Sequence, residues 1–193
     1  MKKLLKKTDV TNANEVQDLI DTAITKFGRV DVLYNNAGVM PINPLENRAL
    51  EEWKQVIDVN ILGVLHRIAA VLPVMIKQKN GHIIATDSVA DHVVVPNLVV
   101  YNGSKFAVRA IFEGLRREQH NNGIRSTIIS PGSVATELYK SINDKESRQA
   151  EINFEKKIGL SADSVASSVE FAIDMPQEAD INEVIIRPIK QDI

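Results

Sequence analysis

A tyrosine and a lysine four residues apart, Tyr101 and Lys105, are the pair in this sequence best suited to acid–base chemistry. Residues at this spacing lie on one face of a helix, about one turn apart, so a helix here would bring the phenol and the ammonium together. A free phenol exchanges protons poorly at neutral pH because its pKa is about 10. A neighbouring ammonium favours the phenolate, and this makes a phenol useful as a general acid and base.

A serine precedes this pair. Ser88 lies thirteen residues before Tyr101, shortly after the apolar segment 81–86. A strand, a loop and a helix that begins near residue 99 would bring the three polar side chains to one place. Each also has a simpler interpretation, with Tyr101 as a solvated tyrosine at a helix start and Ser88 as a cap at a strand end. The spacing of Ser88, Tyr101 and Lys105, which would bring all three together, favours the interpretation as a catalytic group.

Other motifs accompany these residues in a fixed order. They are Asp9-Val10 near the start, Asn35-Asn36-Ala37-Gly38 after the apolar segment 30–34, Asn60 within Asp58-Val59-Asn60, and Pro131-Gly132 followed by Thr136. Together with the serine, tyrosine and lysine, they resemble the motifs of the classical short-chain dehydrogenase/reductases. The similarity extends more loosely to the apolar segment 184–186. The family resemblance implies a Rossmann-like, doubly wound parallel sheet, and residues 1–193 would form one partial domain of this kind.

The resemblance also implies a role for each matched residue. Hydride would pass between NAD or NADP and a carbonyl or alcohol substrate, with Tyr101 as the general acid and base. The implied catalytic residues are Ser88, Tyr101, Lys105 and Asn60, the last holding a proton-relay water. The implied cofactor-binding residues are Asp9, Val10, Asn36, Ala37, Gly38, Tyr101, Lys105, Pro131, Gly132, Val134 and Thr136. No metal ligand is expected, because the four histidines are scattered without ligand spacing.

One family feature is missing from the sequence. Dinucleotide-binding folds open with a Gly-rich turn before a helix that receives the pyrophosphate. No two of the nine glycines are close enough to form Gly-x-Gly-x-x-Gly. The sequence therefore predicts an incomplete fold, truncated at the N-terminus by two strands and two helices, with weakened cofactor binding. The alternative to an oxidoreductase is a non-catalytic remnant that acts as a scaffold or interaction protein.

The pattern of elements is that of an α/β protein. Apolar runs and capping residues predict strands at 30–34, 82–86, 125–130 and 183–187, and helices at 12–28, 49–78, 99–120 and 162–173. Pro73 should bend or break the second helix. The segment 134–160 is expected to be irregular and to shape the substrate site, with its charged run at 145–157 as a solvated helical face. The apolar run 93–99 suggests an apolar wall of the substrate pocket.

Several single residues keep a structural alternative. Asn36 would tie neighbouring strands together, Asn60 would act locally within its helix, and Thr136 would cap a short helix. Asp91 departs from the family, which usually has a small residue after Ser-Val-Ala. A Ser-His-Asp triad is disfavoured, because no histidine has a convincing general-base context.

Composition narrows the functional classes. The 193 residues carry a net charge of −2, with 44% apolar and 25% charged residues, which disfavours nucleic acid as a partner. The sequence has no cysteine and no signal peptide, and no uninterrupted apolar run of membrane-spanning length, so a cytoplasmic protein is expected.

Two expectations concern assembly. The helices near 49–78 and 99–121 match those that the family uses in a four-helix dimer interface, so a homodimer or homotetramer is expected. Without the missing strands, the strand at 30–34 would be an exposed edge. Residues 3–7 would then either be disordered or pair with that edge.

Overall fold

Four apolar segments form one parallel sheet in the computed structural model, which describes residues 3–192. Each strand pairs with the next in the chain, in the order β1-β2-β3-β4. The strands are β1 (Val32–Asn35), β2 (Gly81–Thr86), β3 (Ile124–Pro131) and β4 (Glu183–Ile186). Because all pairs are parallel, the four carboxyl ends meet at one edge of the sheet, where open α/β sheets bind ligands. The predicted α/β class and its strand segments are confirmed.

The helices also follow the predicted order. They are α1 (Ala13–Phe27), α2 (Leu50–Val56), α3 (Gly63–Gln78), α4 (Val99–Gln119), α5 (Lys145–Ile158) and α6 (Ala162–Asp174). The Asn12 side chain accepts hydrogen bonds from the first-turn N–H groups of Asn14 and Glu15, and Gly28 ends α1 with a positive φ of 83°. The first helix thus begins and ends where its capping residues predicted.

The core lies between the sheet and the helices on its two faces. Buried side chains of α1, α3, α4, β2 and β3 form the largest cluster, which includes Val16, Val71, Met75, Ile83 and Phe112. A second cluster joins Ile84 and Ile129 of the sheet to Val165 and Val169 of α6. The central strands β2 and β3 are buried along nearly their whole length, as their continuous apolar sequences require.

Of the two outcomes predicted for Pro73, a bend or a break, the break is wrong. Helix α3 continues through Pro73 to Gln78, since the apolar side chains of Val71 and Met75 on either side are fully buried and hold the helix in place. The irregular turn lies earlier, where residues Ile57–Leu62 form a π-helix between α2 and α3. Such wide turns often occur at functional sites, and this one carries Asn60.

The continuous helical stretch Leu50–Gln78 is long and apolar enough to cross a membrane, with a mean hydropathy of 1.9 in its best window. However, 44% of that window is buried inside the protein. Apolar length of this kind is also expected of a helix that packs on a sheet, as α3 does.

The N-terminal segment adopts neither of its predicted arrangements. Lys6 Nζ lies 2.8 Å from Thr22 Oγ1 and 2.5 Å from Asp18 Oδ2, so the segment runs along α1 instead of β1. These two polar contacts of Lys6 hold the segment against the helix. Among residues 3–192, no strand covers the free edge of β1, and Val32 and Tyr34 there are more than one-third exposed.

The segment 134–160 is more regular than predicted. A short 3₁₀ turn at Leu138–Ser141 leads to α5, whose first turn is capped by the Asp144 side chain on Ser147 N. The helical face at 145–157 is also not fully solvated, because Glu155 is buried. Burial, with the neighbouring Glu151 charge, raises the pKa of Glu155 to about 7, against a hydrogen bond from the Thr136 backbone.

Candidate active site

Tyr101 and Lys105 lie on one buried face of α4. The two residues are only 6% and 7% exposed, and Lys105 Nζ stands 5.6 Å from the centre of the Tyr101 ring. Lys105 Nζ also donates a hydrogen bond to the carbonyl oxygen of Thr86 at 3.0 Å. The helix therefore brings the phenol and the ammonium together, and the end of β2 fixes the position of the ammonium.

Ser88 lies in the turn that follows β2. Its Oγ accepts a hydrogen bond from Ala90 N at 3.2 Å and so caps the 3₁₀ turn Val89–Asp91. Ala90 in the same turn packs against Tyr101 in a cluster with Met40 and Ile142. The capping interpretation of Ser88 is observed, and the packing of Ala90 holds the serine turn against the Tyr101 face of α4.

Asn60 links this face to the loop after β1. Its amide exchanges two hydrogen bonds of 2.9 Å with the backbone of Val39 and donates a third, of 3.1 Å, to Ser104 Oγ. Ser104 Oγ in turn donates to the Tyr101 carbonyl oxygen at 2.7 Å. The wide π turn thus places a buried amide between the β1 loop and α4. All three bonds reach other segments of the chain, so they do not fit the alternative in which Asn60 acts only within its own helix.

The segment Asn36–Gly38 follows β1 at the carboxyl edge of the sheet, and its three residues are exposed. Asn36 Oδ1 accepts a hydrogen bond of 2.8 Å from Thr86 Oγ1 at the end of β2. The predicted strand-tying role of Asn36 is therefore present. A Cβ atom on Gly38 would meet only Asn60 Oδ1, at an ordinary 3.5 Å. The outer side of this loop is open to a ligand.

The loop after β3 contains the next group of predicted cofactor residues. A Cβ atom on Gly132 would come within 2.1 Å of Gln191 Oε1, which itself accepts a hydrogen bond of 2.8 Å from Ser133 N. Val134 pairs with Leu160 and packs on the sheet rather than facing outward. Thr136 Oγ1 accepts from Leu138 N at 3.2 Å, which fits its predicted alternative as a helix cap.

Asp9 and Val10 lie apart from Tyr101, ahead of α1. Asp9 Oδ1 accepts hydrogen bonds from Thr11 N and Thr11 Oγ1, and the backbone bond is the main reason why the pKa of Asp9 is lowered. The Val10 carbonyl lies 3.0 Å from His66 Nδ1 on α3. A cavity of about 520 Å³ opens beside Asp9 and is lined also by Thr11, Glu51, Lys54, Gln55, Asp58 and Val59.

Sequence reasoning missed a buried acidic group behind Lys105. Asp87 and Asp91 are 2% and 0% exposed, and Lys105 Nζ lies 3.8 Å from Asp87 Oδ1. The available signal was an aspartate directly after a buried strand with a second one four residues later, at the position where the sequence departs from the family. Asp91 was noted in the sequence only as a departure from the family pattern.

Asp91 continues into a polar network at the start of β4. His92 Nε2 lies 3.2 Å from Asp91 Oδ1 and 2.6 Å from Glu183 Oε1. Arg109 donates to His92 Nδ1 at 2.6 Å and to Glu183 Oε2 at 3.2 Å. The arginine bond to Nδ1 puts the imidazole proton on Nε2, facing the carboxylates. Three metal-ligand types thus meet within 4.8 Å, but the guanidinium already pairs with them.

The geometry fits the nicotinamide end of a dinucleotide. The ammonium of Lys105, the phenol of Tyr101 and the open loop Asn36–Gly38 all belong to the carboxyl edge of the sheet, where such ligands bind. The described residues 3–192 contain no Gly-rich turn that would hold a pyrophosphate. The fit therefore concerns the reactive half of the cofactor.

Comparisons with known proteins identify the relatives of this chain. The family model described as short chain dehydrogenase matches residues 2–147. An uncharacterized oxidoreductase of Staphylococcus saprophyticus is 53% identical over 191 residues, which are 98% of this chain and 77% of that protein. An uncharacterized oxidoreductase of Listeria innocua is 46% identical over 187 residues, covering 96% and 75% respectively.

Solved structures show the same fold. The closed form of a serine dehydrogenase complexed with NADP⁺ matches with a TM-score of 0.91 and 28% identity, over 97% of this chain and 77% of that one. An alcohol dehydrogenase of the archaeon Thermococcus sibiricus, complexed with 5-hydroxy-NADP, matches with a TM-score of 0.83 and 27% identity, over 96% and 74%. The chain belongs to the short-chain dehydrogenase/reductase family and is an NAD(P)-dependent oxidoreductase acting on a small molecule.

Proposed function

We propose that the protein transfers hydride between NAD(P)(H) and a carbonyl or alcohol substrate, with Tyr101 as general acid and base. The observation that carries this proposal is the buried pair on α4, in which Lys105 Nζ lies 5.6 Å from the Tyr101 ring. A buried ammonium this close stabilises a phenolate far more than a solvated one does. The serine turn packs on the same face through Ala90.

The residues have separate tasks in this mechanism. The cofactor, when bound, supplies or accepts the hydride. Tyr101 Oη donates its proton to the substrate oxygen during reduction and takes one back during oxidation. Ser88 Oγ donates a hydrogen bond to the same oxygen and holds it in line. Lys105 stabilises the phenolate and binds the nicotinamide ribose, while Asn60 holds a relay water.

The cofactor lies, in this proposal, along the carboxyl edge of the sheet. Asn36, Ala37 and Gly38 offer an open loop to the nicotinamide side, and the loop 131–136 closes the other side. Asp9 and Val10 lie toward the adenine, beside the cavity at Asp9. The domain that does this comprises residues 1–193.

The substrate we propose has an apolar body next to its carbonyl or alcohol carbon. Met40, Ala90 and Ile142 surround Tyr101, and Ile42, Leu98, Leu138 and Tyr139 pack against the same cluster. These side chains come from the β1 loop, the segment before α4 and the segment 134–160. They would favour a ligand that buries apolar surface beside the phenol. We also propose a cytoplasmic location, in keeping with a chain without cysteine.

The second candidate function is a non-catalytic scaffold that keeps the fold but holds no dinucleotide. The observation that favours it is the sequence itself, which lacks a Gly-rich turn for the pyrophosphate. Loss of several charge-assisted hydrogen bonds, each worth about 1.5–3 kcal/mol, would weaken cofactor binding by orders of magnitude. The two candidates therefore differ first in cofactor affinity.

One experiment separates the candidates and tests Tyr101. NADH and NADPH are titrated into the 193-residue chain, and into a version with a Gly-rich strand–turn–helix unit added before Met1, by calorimetry and by dehydrogenase assay. We expect weak binding by the chain alone and turnover by the extended version. In the latter, Tyr101→Phe should lower kcat on the order of 10²–10⁴-fold with cofactor affinity unchanged, because only the proton-transfer group is lost. Extended chains that bind cofactor but never turn over would favour the scaffold.

A further inference from the structure

A short segment of the chain packs on the Tyr101 face of α4. Residues 138–143, here called the lid, consist of the 3₁₀ turn Leu138–Ser141 and the two residues after it. Ile142 of the lid is 0% exposed and belongs to the same apolar cluster as Tyr101 and Met40, and Tyr101 itself is only 6% exposed. A side chain of the lid therefore fills part of the apolar space beside the phenol.

The lid is stiff within itself. Ser141 Oγ donates a hydrogen bond to the carbonyl oxygen of Leu138 at 2.7 Å, and Ile142 N donates to the carbonyl oxygen of Tyr139 at 3.1 Å. Arg148 Nε, near the start of α5, donates to the carbonyl oxygen of Ile142 at 2.6 Å. Because these bonds stay within the lid and α5, the lid and the start of α5 can move as one piece.

Helix α5 adds little to the hold of this piece on the rest of the protein. Among the described residues of α5, Glu155 is the only one that is buried, and Phe154 is 45% exposed. Segments with few buried apolar contacts open at a low cost in free energy. The contacts that keep the piece closed are therefore mainly those of the lid.

Two polar contacts cross from the lid to other elements. Ser141 Oγ accepts a hydrogen bond of 2.8 Å from the backbone N–H of Met40, in the loop after β1. Asn143 Nδ2 donates a hydrogen bond of 2.7 Å to Glu52 Oε1 on α2. Together with the buried side chain of Ile142, these two bonds fasten the second half of the lid.

A second amide holds Glu52 in place for this contact. Glu52 Oε2 accepts a hydrogen bond of 3.1 Å from Asn43 Nδ2. Asn43 is fixed in turn, because its backbone N–H donates to the carbonyl oxygen of Asn97 at 2.8 Å and its Oδ1 accepts from Asn47 Nδ2 at 2.7 Å. One carboxylate oxygen is thus anchored, and the other holds the lid. Since the bond to Asn143 is exposed, water can replace it, and the contact is reversible.

We propose that residues 138–143 are a latched lid that plugs the site beside Tyr101 with Ile142, and that Glu52 is the residue that latches it. A substrate with an apolar body takes the place of the Ile142 side chain and reaches the phenol only when the lid opens. The inference rests on the proposed role of Tyr101. Glu52 does not touch substrate in this arrangement, so it is a positioning residue that acts through the lid.

The latch then sets the fraction of molecules in which the site is open. A ligand that binds only the open form has an apparent dissociation constant equal to the intrinsic one divided by this fraction. Loss of the Glu52–Asn143 bond should raise the open fraction about 3- to 10-fold, which is the usual effect of one hydrogen bond.

The first measurement follows lid opening by amide hydrogen exchange in the 193-residue chain, labelled with ¹⁵N-methionine. The N–H of Met40 is bonded to the lid, so its exchange rate reports how often the lid opens. Glu52→Ala should speed exchange at Met40 about 3- to 10-fold, and Asn143→Ala, which cuts the same bond from the lid side, should match it. Glu46→Ala, at an exposed carboxylate of the loop before α2, is the matched control. Unchanged exchange at Met40 in both latch variants would overturn the proposal.

A variant in the core separates lid opening from global unfolding. Ile20→Val in the α1 core should destabilise the whole protein and speed exchange at the fully buried Met75 about 3- to 10-fold. Exchange at Met40 should not change in this variant, because the lid opens without unfolding α1. Equal acceleration of Met40 and Met75 by Ile20→Val would show that no separate lid opening exists, and this would also overturn the proposal.

The second measurement asks whether the lid controls access to the phenol oxygen. N-acetylimidazole acetylates accessible tyrosine hydroxyls, so it probes the atom that a substrate oxygen has to reach. Mass spectrometry gives the rate at Tyr101, with Tyr34, which is 37% exposed, as the reference in the same molecule. Glu52→Ala should speed acetylation of Tyr101 about as much as it speeds exchange at Met40, with no change at Tyr34.

A bridge across the latch should have the opposite effect. Glu52→Cys and Asn143→Cys are combined in this chain, which has no other cysteine, and are joined by dibromobimane. The bridge should stop acetylation of Tyr101 while Tyr34 still reacts. Bridged molecules whose Tyr101 reacts as fast as before bridging would contradict the lid. Neither measurement needs cofactor or hydride transfer, so failure of the lid and failure of the proposed function are distinguishable.

Discussion

At the scale of the residue, Lys105 carries the most tasks. Its Nζ donates to Thr86 at the end of β2, faces the Tyr101 ring and lies beside the buried carboxyl of Asp87. A substitution here should therefore affect more than one step.

Lys105→Met, made in the version with a Gly-rich strand–turn–helix unit added before Met1, tests whether this lysine has both a catalytic and a cofactor-binding role. Removal of the ammonium should lower kcat/KM at least about 100-fold and weaken cofactor affinity about 10- to 100-fold, since one charge-assisted hydrogen bond is lost. Steady-state kinetics and calorimetry separate the two effects. Lys77→Met, at an exposed residue of α3, is the control and should change neither. Unchanged cofactor affinity in Lys105→Met would show that this lysine does not bind the nicotinamide ribose.

The roles of single residues were only partly readable from the sequence. The spacing of Tyr101 and Lys105 placed them on one helix face, and the structure confirms the face. The burial of Asp87 and Asp91 beside Lys105 was not predicted, because sequence spacing does not show that Ser130 and Glu183 from later strands close around them. Contacts between segments that are distant in the sequence become visible only in the folded structure.

At the scale of the element, the sequence predicted helix ends correctly where the capping contacts are made by residues close in the chain. Asn12 and Gly28 bound α1 because capping involves only neighbouring backbone groups. The π turn Ile57–Leu62 was not foreseen, since its extra residue is held by tertiary bonds from Asn60 to Val39 and Ser104. The lysine-rich start also paired with α1 through charges whose partners lie more than ten residues away.

Strand β1 yields a prediction at this scale. Its outer edge has no neighbour among residues 3–192, and unpaired edges invite aggregation and exchange their amide protons quickly. Weak hydrogen-exchange protection is expected for residues 3–10 and along β1 in a dilute sample. Full protection of Val32 and Leu33 in a monomer would show that the edge is covered.

A matched pair of variants tests the same edge. Val32 is 36% exposed, whereas Leu33 packs against the core. Val32→Lys should therefore slow aggregation with little change in Tm, since charge on an edge opposes strand pairing. Leu33→Lys should instead lower Tm, because it places a charge against the core. Light scattering during heating measures both effects, and equal behaviour of the two variants would count against the edge argument.

At the scale of the whole molecule, the parallel sheet between its two helical layers brings the candidate site residues to one edge, the carboxyl edge of the strands. All strands end where the β1 loop, the serine turn and the loop after β3 meet. The outer surface of the helices lies away from this edge and has a different composition. Large apolar side chains remain about 40% exposed on the α2–α4 layer, namely Ile57, Leu62, Leu65, Ile76, Val99 and Phe106. A group of exposed large apolar side chains on one layer is typical of an interface.

Self-association through this layer is the corresponding prediction. Two copies that pair about a two-fold axis would bury the same face of each, which is the commonest arrangement of homo-oligomers. Sedimentation or light scattering at high concentration should show a dimer or tetramer, and Phe106→Glu on α4 should shift it toward monomer by placing a charge in the interface. Phe27→Glu at the end of α1 is the matched control, because Phe27 is also 42% exposed but lies on another helix. A strict monomer of the unsubstituted chain, or an equal effect of both variants, would show that the α2–α4 layer is not the interface.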